Sequence, residues 1–259
     1  MSSPRRRALR DRARARRGRA QWVMLASASL SLVSLLLAPR RAAAESTPPP
    51  APVWLGTVES GVQALVYPPQ DRGAPRPVTV MLHGMCDEPE RECPYFAEVV
   101  TRSGWLICPR AETRCPGGGS IWGYQRRHHT VERAIELAHA AFPGELDETR
   151  GRTLIGFSLG ALFGLDLGHQ GAGRYPRLLL IGAKVEPYAS LLRRAGVARV
   201  IFAAGDRDMM SAHMREQARR LDRQGVSTQF VSLGAVGHWF PEDLASRLAA
   251  MLTWLDGVE

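Results

Sequence analysis

Arg152-Thr153-Leu154-Ile155-Gly156-Phe157-Ser158-Leu159-Gly160-Ala161-Leu162-Phe163-Gly164-Leu165 is the stretch whose reading decides the fold. Residues 152–155 read as a short buried strand, and 161–165 as the opening of a helix packed closely on a sheet. Ser158 stands where the strand has to turn abruptly into the helix. Gly156 and Gly160 tolerate the crowding of such a corner, which pushes the serine out of the fold. The helix N-terminus behind it stabilises negative charge. The pattern G-x-S-x-G recurs by chance, so its meaning depends on what surrounds it.

Working outward, short apolar runs alternate with amphipathic segments. Strands are expected at 78–82, 105–108, 178–181, 200–203 and 229–233, with an opening hairpin from 53–58 and 62–67. Helices are expected at 95–103, 130–142, 186–194, 211–224 and 241–255, the second with Thr130 as its N-cap. Residues 116–124 form a glycine-rich loop. Apolar strands separated by helices predict an α/β fold, a mostly parallel sheet covered on both faces. In such sheets function collects at the carboxyl ends of the strands.

Charge divides the 259-residue chain. Residues 1–44 hold 11 arginines against the single acid Asp11, whereas the remaining 215 hold 23 basic and 24 acidic side chains. The net charge of +9 therefore belongs to the leader and gives no reason to expect nucleic-acid binding by the folded part. The Arg-rich start, the apolar run at 23–38 and Ala42-Ala43-Ala44 before Glu45 match a secretory signal peptide over 1–44. The run is shorter than the ~20 residues of a spanning helix; an uncleaved membrane anchor is the alternative. A Pro-rich linker follows at 45–52, and 53–259 suits one domain, with periplasmic or secreted localisation expected.

All four cysteines fall within 30 residues: Cys86, Cys93, Cys108 and Cys115. An oxidising compartment makes two disulfides the expectation. The seven-residue spacing in each half favours Cys86–Cys93 and Cys108–Cys115. Zinc is the competing reading, against which stand the absence of a C-x2-C spacing and export.

Three polar positions follow strands in the order Ser158, Asp206 or Asp208, and His238. A neutral serine needs a base within hydrogen-bond reach, and that base needs an orienting carboxylate. With the corner at Ser158 and His83-Gly84 after an earlier strand, this order resembles the α/β-hydrolase family across nearly all of 53–255. The 18 residues between Ile181 and Val200 leave no room for a large cap domain, which suggests a fairly open site, closer to small carboxylesterases or dienelactone-hydrolase-like enzymes than to lidded lipases. The resemblance implies Ser158 as nucleophile, His238 as general base and Asp208, fourth in a G-x-x-D pattern, as the acid. It also implies an oxyanion hole from the main-chain N–H groups of Met85 and Leu159.

The expected function is thus a serine hydrolase acting on a small-molecule ester through an acyl-enzyme. A peptidase, an acyltransferase or a non-catalytic binding protein are the alternatives. His83, Trp122 and Tyr124 are candidate pocket residues, His83 also as a support of the oxyanion loop and Trp122 equally as packing. His128-His129 read as a solvated basic face or a pocket rim. No H-E-x-x-H or P-loop is present, and no cofactor or metal is implied.

Overall fold

A computed structural model of the chain describes residues 48–57, 61–123 and 127–257. The leader assigned to 1–44, the first part of the linker and Tyr124 lie outside the described residues. The chain enters the sheet through β1 (Val53–Leu55) and β2 (Ala64–Tyr67), paired antiparallel with Val53 opposite Val66, so the opening hairpin forms with shorter strands than expected.

From there strands and helices alternate. After β3 (Arg76–Leu82) come two short helices, α1 (Pro89–Glu92) and α2 (Pro94–Val100), each with proline in its first turn, where no N–H is needed. β4 (Trp105–Pro109) follows, then a small hairpin of β5 (Thr113–Arg114), just before the glycine-rich loop, and β6 (Ser120–Ile121) within it, which the apolar patterning did not reveal. α3 (Arg127–Ala141) starts earlier than expected, so Thr130 lies buried inside the helix instead of capping it. The two-residue β7 (Leu146–Asp147) pairs with the start of β3.

β8 (Thr153–Phe157) leads through Ser158 into α4 (Leu159–Gln170). β9 (Arg177–Ile181) is followed by α5 (Ala189–Arg194), shorter than expected because Pro187 disfavours helical geometry at Glu186. β10 (Arg199–Ala204), α6 (Ser211–Arg223), β11 (Ser227–Ser232) and α7 (Leu244–Asp256) complete the domain. Between β9 and β10 the chain holds α5 and its two connecting loops.

The strand order is β1-β2-β4-β3-β8-β9-β10-β11, parallel from β4 onward. The mostly parallel sheet with helices is as expected. Apolar residues fill both faces of the central strands, which explains why they read as continuous runs. Val80, Leu154, Leu180 and Phe202 face one core with Ile135 of α3, Leu165 of α4 and Met214 of α6. Met81, Ile155, Leu179 and Ile201 face the other with Phe96 of α2 and Leu248 of α7. Each fully buried aliphatic side chain contributes about 2 kcal/mol by leaving water. No helix among the described residues is long and apolar enough to cross a membrane.

All four cysteines form disulfides, but as Cys86–Cys115 and Cys93–Cys108, correcting both pairings drawn from chain spacing. Cys93 opens α2 on the face that covers β4, where Cys108 points into the same core. Cys86 lies across from the β5–β6 hairpin, whose Ser120 N–H donates to Asp87 O at 3.0 Å, and Cys115 opens the turn that joins its two strands. Proximity here is set by the sheet and not by the count of intervening residues. Paired thiols also set aside the zinc reading.

Candidate active site

Gly156 and Gly160 make the corner at Ser158 sterically feasible. A Cβ on Gly160 would lie 2.0 Å from Leu82 O, and one on Gly156 would lie 2.4 Å from Gly160 O. Ser158 itself takes φ 52° and ψ −117°, a conformation that L residues rarely adopt. Its N–H donates to Ile181 O at 2.8 Å, which ties the corner to the end of β9. The side chain is thereby presented at the N-terminus of α4.

The loops at the carboxyl ends of β10 and β11 bring the other two groups to it. Asp208, its side chain 2% exposed, accepts the Met210 N–H on Oδ1 at 2.9 Å and faces His238 Nδ1 with Oδ2 at 2.8 Å. Nδ1–H donated to Asp208 leaves the Nε2 lone pair toward Ser158 Oγ, 3.0 Å away. The imidazole lies against the Phe157 ring at 5.0 Å between centroids, and Phe157 packs in turn on Phe240 at 4.7 Å. Trp239 Nε1–H donates to the Tyr95 hydroxyl at 3.2 Å, so α2 also braces the loop that carries His238. Asp206, the other carboxylate considered, accepts the Ser232 hydroxyl at 2.5 Å and holds the exit of β11 instead. Ser158, Asp208 and His238 therefore meet as a hydrogen-bonded relay able to move a proton off the serine hydroxyl.

The turn His83-Gly84-Met85 abuts this relay, since a Cβ on Gly84 would lie 3.5 Å from Ser158 Cβ. Among the described residues, neither the Met85 N–H nor the Leu159 N–H donates a hydrogen bond. Both residues line one cavity of about 560 Å³ together with Ser158 and His238. Leu162, Ala183, Met209 and Met210 make its walls largely apolar, and Lys184 and Arg207 stand at it as cations.

His83 and Trp122, considered for the pocket wall, lie buried beneath the turn and outside the cavity lining. His83 donates from Nδ1 to Gly84 O at 2.8 Å and accepts the Ala111 N–H on Nε2 at 3.2 Å. Burial lowers its pKa to about 4, keeping the ring neutral. Trp122 Nε1–H donates to His83 O at 2.8 Å. His128 pairs with Asp166 at 3.0 Å beside a separate cleft, which His129 also lines.

Glu92 was not singled out from the sequence. Fully buried, it accepts the Gly84 N–H on Oε1 at 2.9 Å. Burial, reinforced by the neighbouring Asp87 carboxylate, pushes its pKa up to about 8. In sequence it is one acid in the polar run Glu88-Pro89-Glu90-Arg91-Glu92, and nothing there distinguishes it from a solvated side chain. Lys184 and Arg207 carried no motif either.

No protein-family model matches the sequence, and no curated protein matches it. Solved structures do resemble it. Serine hydrolase F of Staphylococcus aureus, described as fluorophosphonate-binding, superposes with a TM-score of 0.61 at 15% identity, over 80% of this chain and 98% of that one. A ferulic acid esterase superposes at 0.59 with 17% identity over 80% and 98%. An S-formylglutathione hydrolase, also from Staphylococcus aureus, superposes at 0.58 with 15% identity over 79% and 98%. At such identities the shared property is the fold.

Proposed function

We propose that this chain, which has the α/β-hydrolase fold, is an exported serine hydrolase that cleaves carboxylic esters. The observation that carries the reading is the relay from Ser158 Oγ through His238 to Asp208, at 3.0 and 2.8 Å, on a strained strand-to-helix corner. Export is supported by the leader-like residues 1–44 and by two disulfides in the folded part.

In the first half-reaction Ser158 Oγ attacks the ester carbonyl carbon while His238 Nε2 takes the hydroxyl proton. Asp208 holds the ring in the tautomer that leaves Nε2 free and stabilises the imidazolium. The oxyanion sits toward the Met85 and Leu159 N–H groups, each worth about 3 kcal/mol of transition-state stabilisation. Collapse breaks the bond to the alcohol oxygen, and His238 returns the proton to it. Water then repeats the sequence on the acyl-enzyme, releasing the acid and restoring Ser158. An ester suits the site better than an amide because an alkoxide needs less help to leave than an amine. The short β9–β10 connection leaves the cavity open to small substrates.

The test is covalent labelling of the full chain with a fluorophosphonate, mapped by mass spectrometry, alongside turnover of p-nitrophenyl esters. Labelling confined to Ser158 and lost in Ser158→Ala is expected. Folded protein that neither labels nor turns over any ester overturns the reading.

A further inference from the structure

We propose that the ester bears a carboxylate away from the scissile bond, held at the cavity mouth by Lys184 and Arg207. This rests on the ester-hydrolase reading of Ser158. Lys184 is the only lysine of the sequence, against 33 arginines. It lies just past Gly182 on the loop after β9, and a Cβ on Gly182 would come within 3.1 Å of Asp208 Oδ2. Arg207 lies on the loop after β10. β9 and β10 are parallel neighbours, Ile181 opposite Ala203, so both loops leave the sheet at the same edge. The two side chains are exposed and line the same cavity as Ser158 and His238.

Neither cation has an acidic partner among the described residues, and the acids beside them are engaged elsewhere. Glu186 lies 3.5 Å from His213 and 3.9 Å from Arg220. Asp206 accepts from Ser232, and Asp208 faces His238. Two arginines away from the cavity are neutralised: Arg110 by Glu88 and Glu90, Arg152 by Glu132 and Glu148. With 23 basic and 24 acidic side chains beyond residue 44, the folded part has no general positive field. The attraction felt by an anion at the cavity is therefore local. Two unpaired cations over apolar walls fit an apolar body ending in an anion. A carboxylate matches both the planar fork of arginine and the point charge of lysine.

The experiment compares p-nitrophenyl hydrogen glutarate with its neutral methyl ester as substrates of the full chain, reading the ratio of their kcat/KM values. A ratio of about ten in favour of the anion, falling as salt is added, is expected. Lys184→Gln and Arg207→Gln each cut that ratio about threefold, and together they abolish it. Thermal melts confirm that the variants are folded. A wild-type ratio of one or less, or a preference that survives in the double variant, overturns the inference while leaving the esterase reading intact. A matched ester with a terminal phosphonate that outperforms the carboxylate also overturns it. Absence of turnover of both esters, with Ser158 unlabelled by fluorophosphonate, overturns the esterase reading and this inference with it.

Discussion

Glu92 Oε1 accepts the Gly84 N–H at 2.9 Å from a fully buried position, so the turn that presents Met85 beside Ser158 is tied to an acid out of reach of solvent. Burial favours the protonated form of that acid, and its pKa stands at about 8 against an ordinary 4.5. The folded state therefore holds a proton that the unfolded chain has released between these values. Stability from this group is complete below pH 4.5 and is lost as pH rises toward 8.

His83 acts with the opposite sign. Its pKa of about 4, against an ordinary 6.5, means the unfolded chain binds the extra proton, so stability rises with pH between these values. The two slopes offset one another from pH 4.5 to 6.5, and Glu92 acts alone from 6.5 to 8. Wild-type stability is expected to fall across this upper window. Glu92→Gln, which keeps an acceptor for Gly84, is expected to remove that decline. Urea unfolding at pH 6.5, 7.25 and 8 measures it, and parallel slopes in the two proteins would count against a protonated Glu92.

The relay predicts unequal effects for two neighbouring aspartates. Asp208→Asn is expected to lower kcat on p-nitrophenyl esters by about 10⁴-fold, by stabilising the wrong tautomer of His238. Asp206→Asn, which disturbs only a bond to Ser232, is expected to change it less than about threefold, in line with a surface change. Ser158→Ala is expected to cost about 10⁶-fold. Comparable losses at Asp206 and Asp208 would refute the assignment of the acid.

Gly160 is expected to tolerate no side chain. Alanine there brings Cβ to 2.0 Å from Leu82 O, and that oxygen belongs to backbone which cannot turn aside. A cost of about 3 kcal/mol or more follows from such overpacking. It is read as a fall in the thermal midpoint together with loss of fluorophosphonate labelling. A variant of wild-type stability and reactivity would show that the corner is built differently.

The disulfides can be read directly. Peptides joined through Cys86–Cys115 and Cys93–Cys108 are expected in a non-reducing digest. Replacing Cys93 and Cys108 together by alanine removes a cross-link over 15 positions and is expected to cost about 3 kcal/mol. Because α2 carries Tyr95, and Tyr95 braces Trp239 next to His238, esterase activity should decline before global unfolding in that variant.

Much of the fold was legible because its signals are local. The apolar runs at 178–181 and 200–203 lie within β9 and β10 almost residue for residue, since a strand buried on both faces has to be apolar throughout. The corner at Ser158 was legible from small residues at fixed spacing, and His238 with Asp206 or Asp208 from their places after strands, Asp208 being preferred through the family resemblance. Boundaries moved where local chemistry was overlooked, as at Glu186 before Pro187. The β5–β6 hairpin and β7 were too short to show any period.

What the amino-acid order determined by itself was the kind of layered sheet and the candidates Ser158 and His238, with Asp206 or Asp208, at strand ends, because these depend on neighbours a few positions away. Only the tertiary structure decided which cysteines pair, that Trp122 supports the turn from below, that Glu92 is buried against Gly84, and that Lys184 and Arg207 share one cavity mouth. Each of these follows from the order in which strands lie side by side. β3 sits between β4 and β8, and β10 sits beside β9. That order is chosen by packing between residues far apart in the chain, where spacing along the sequence carries no information about distance.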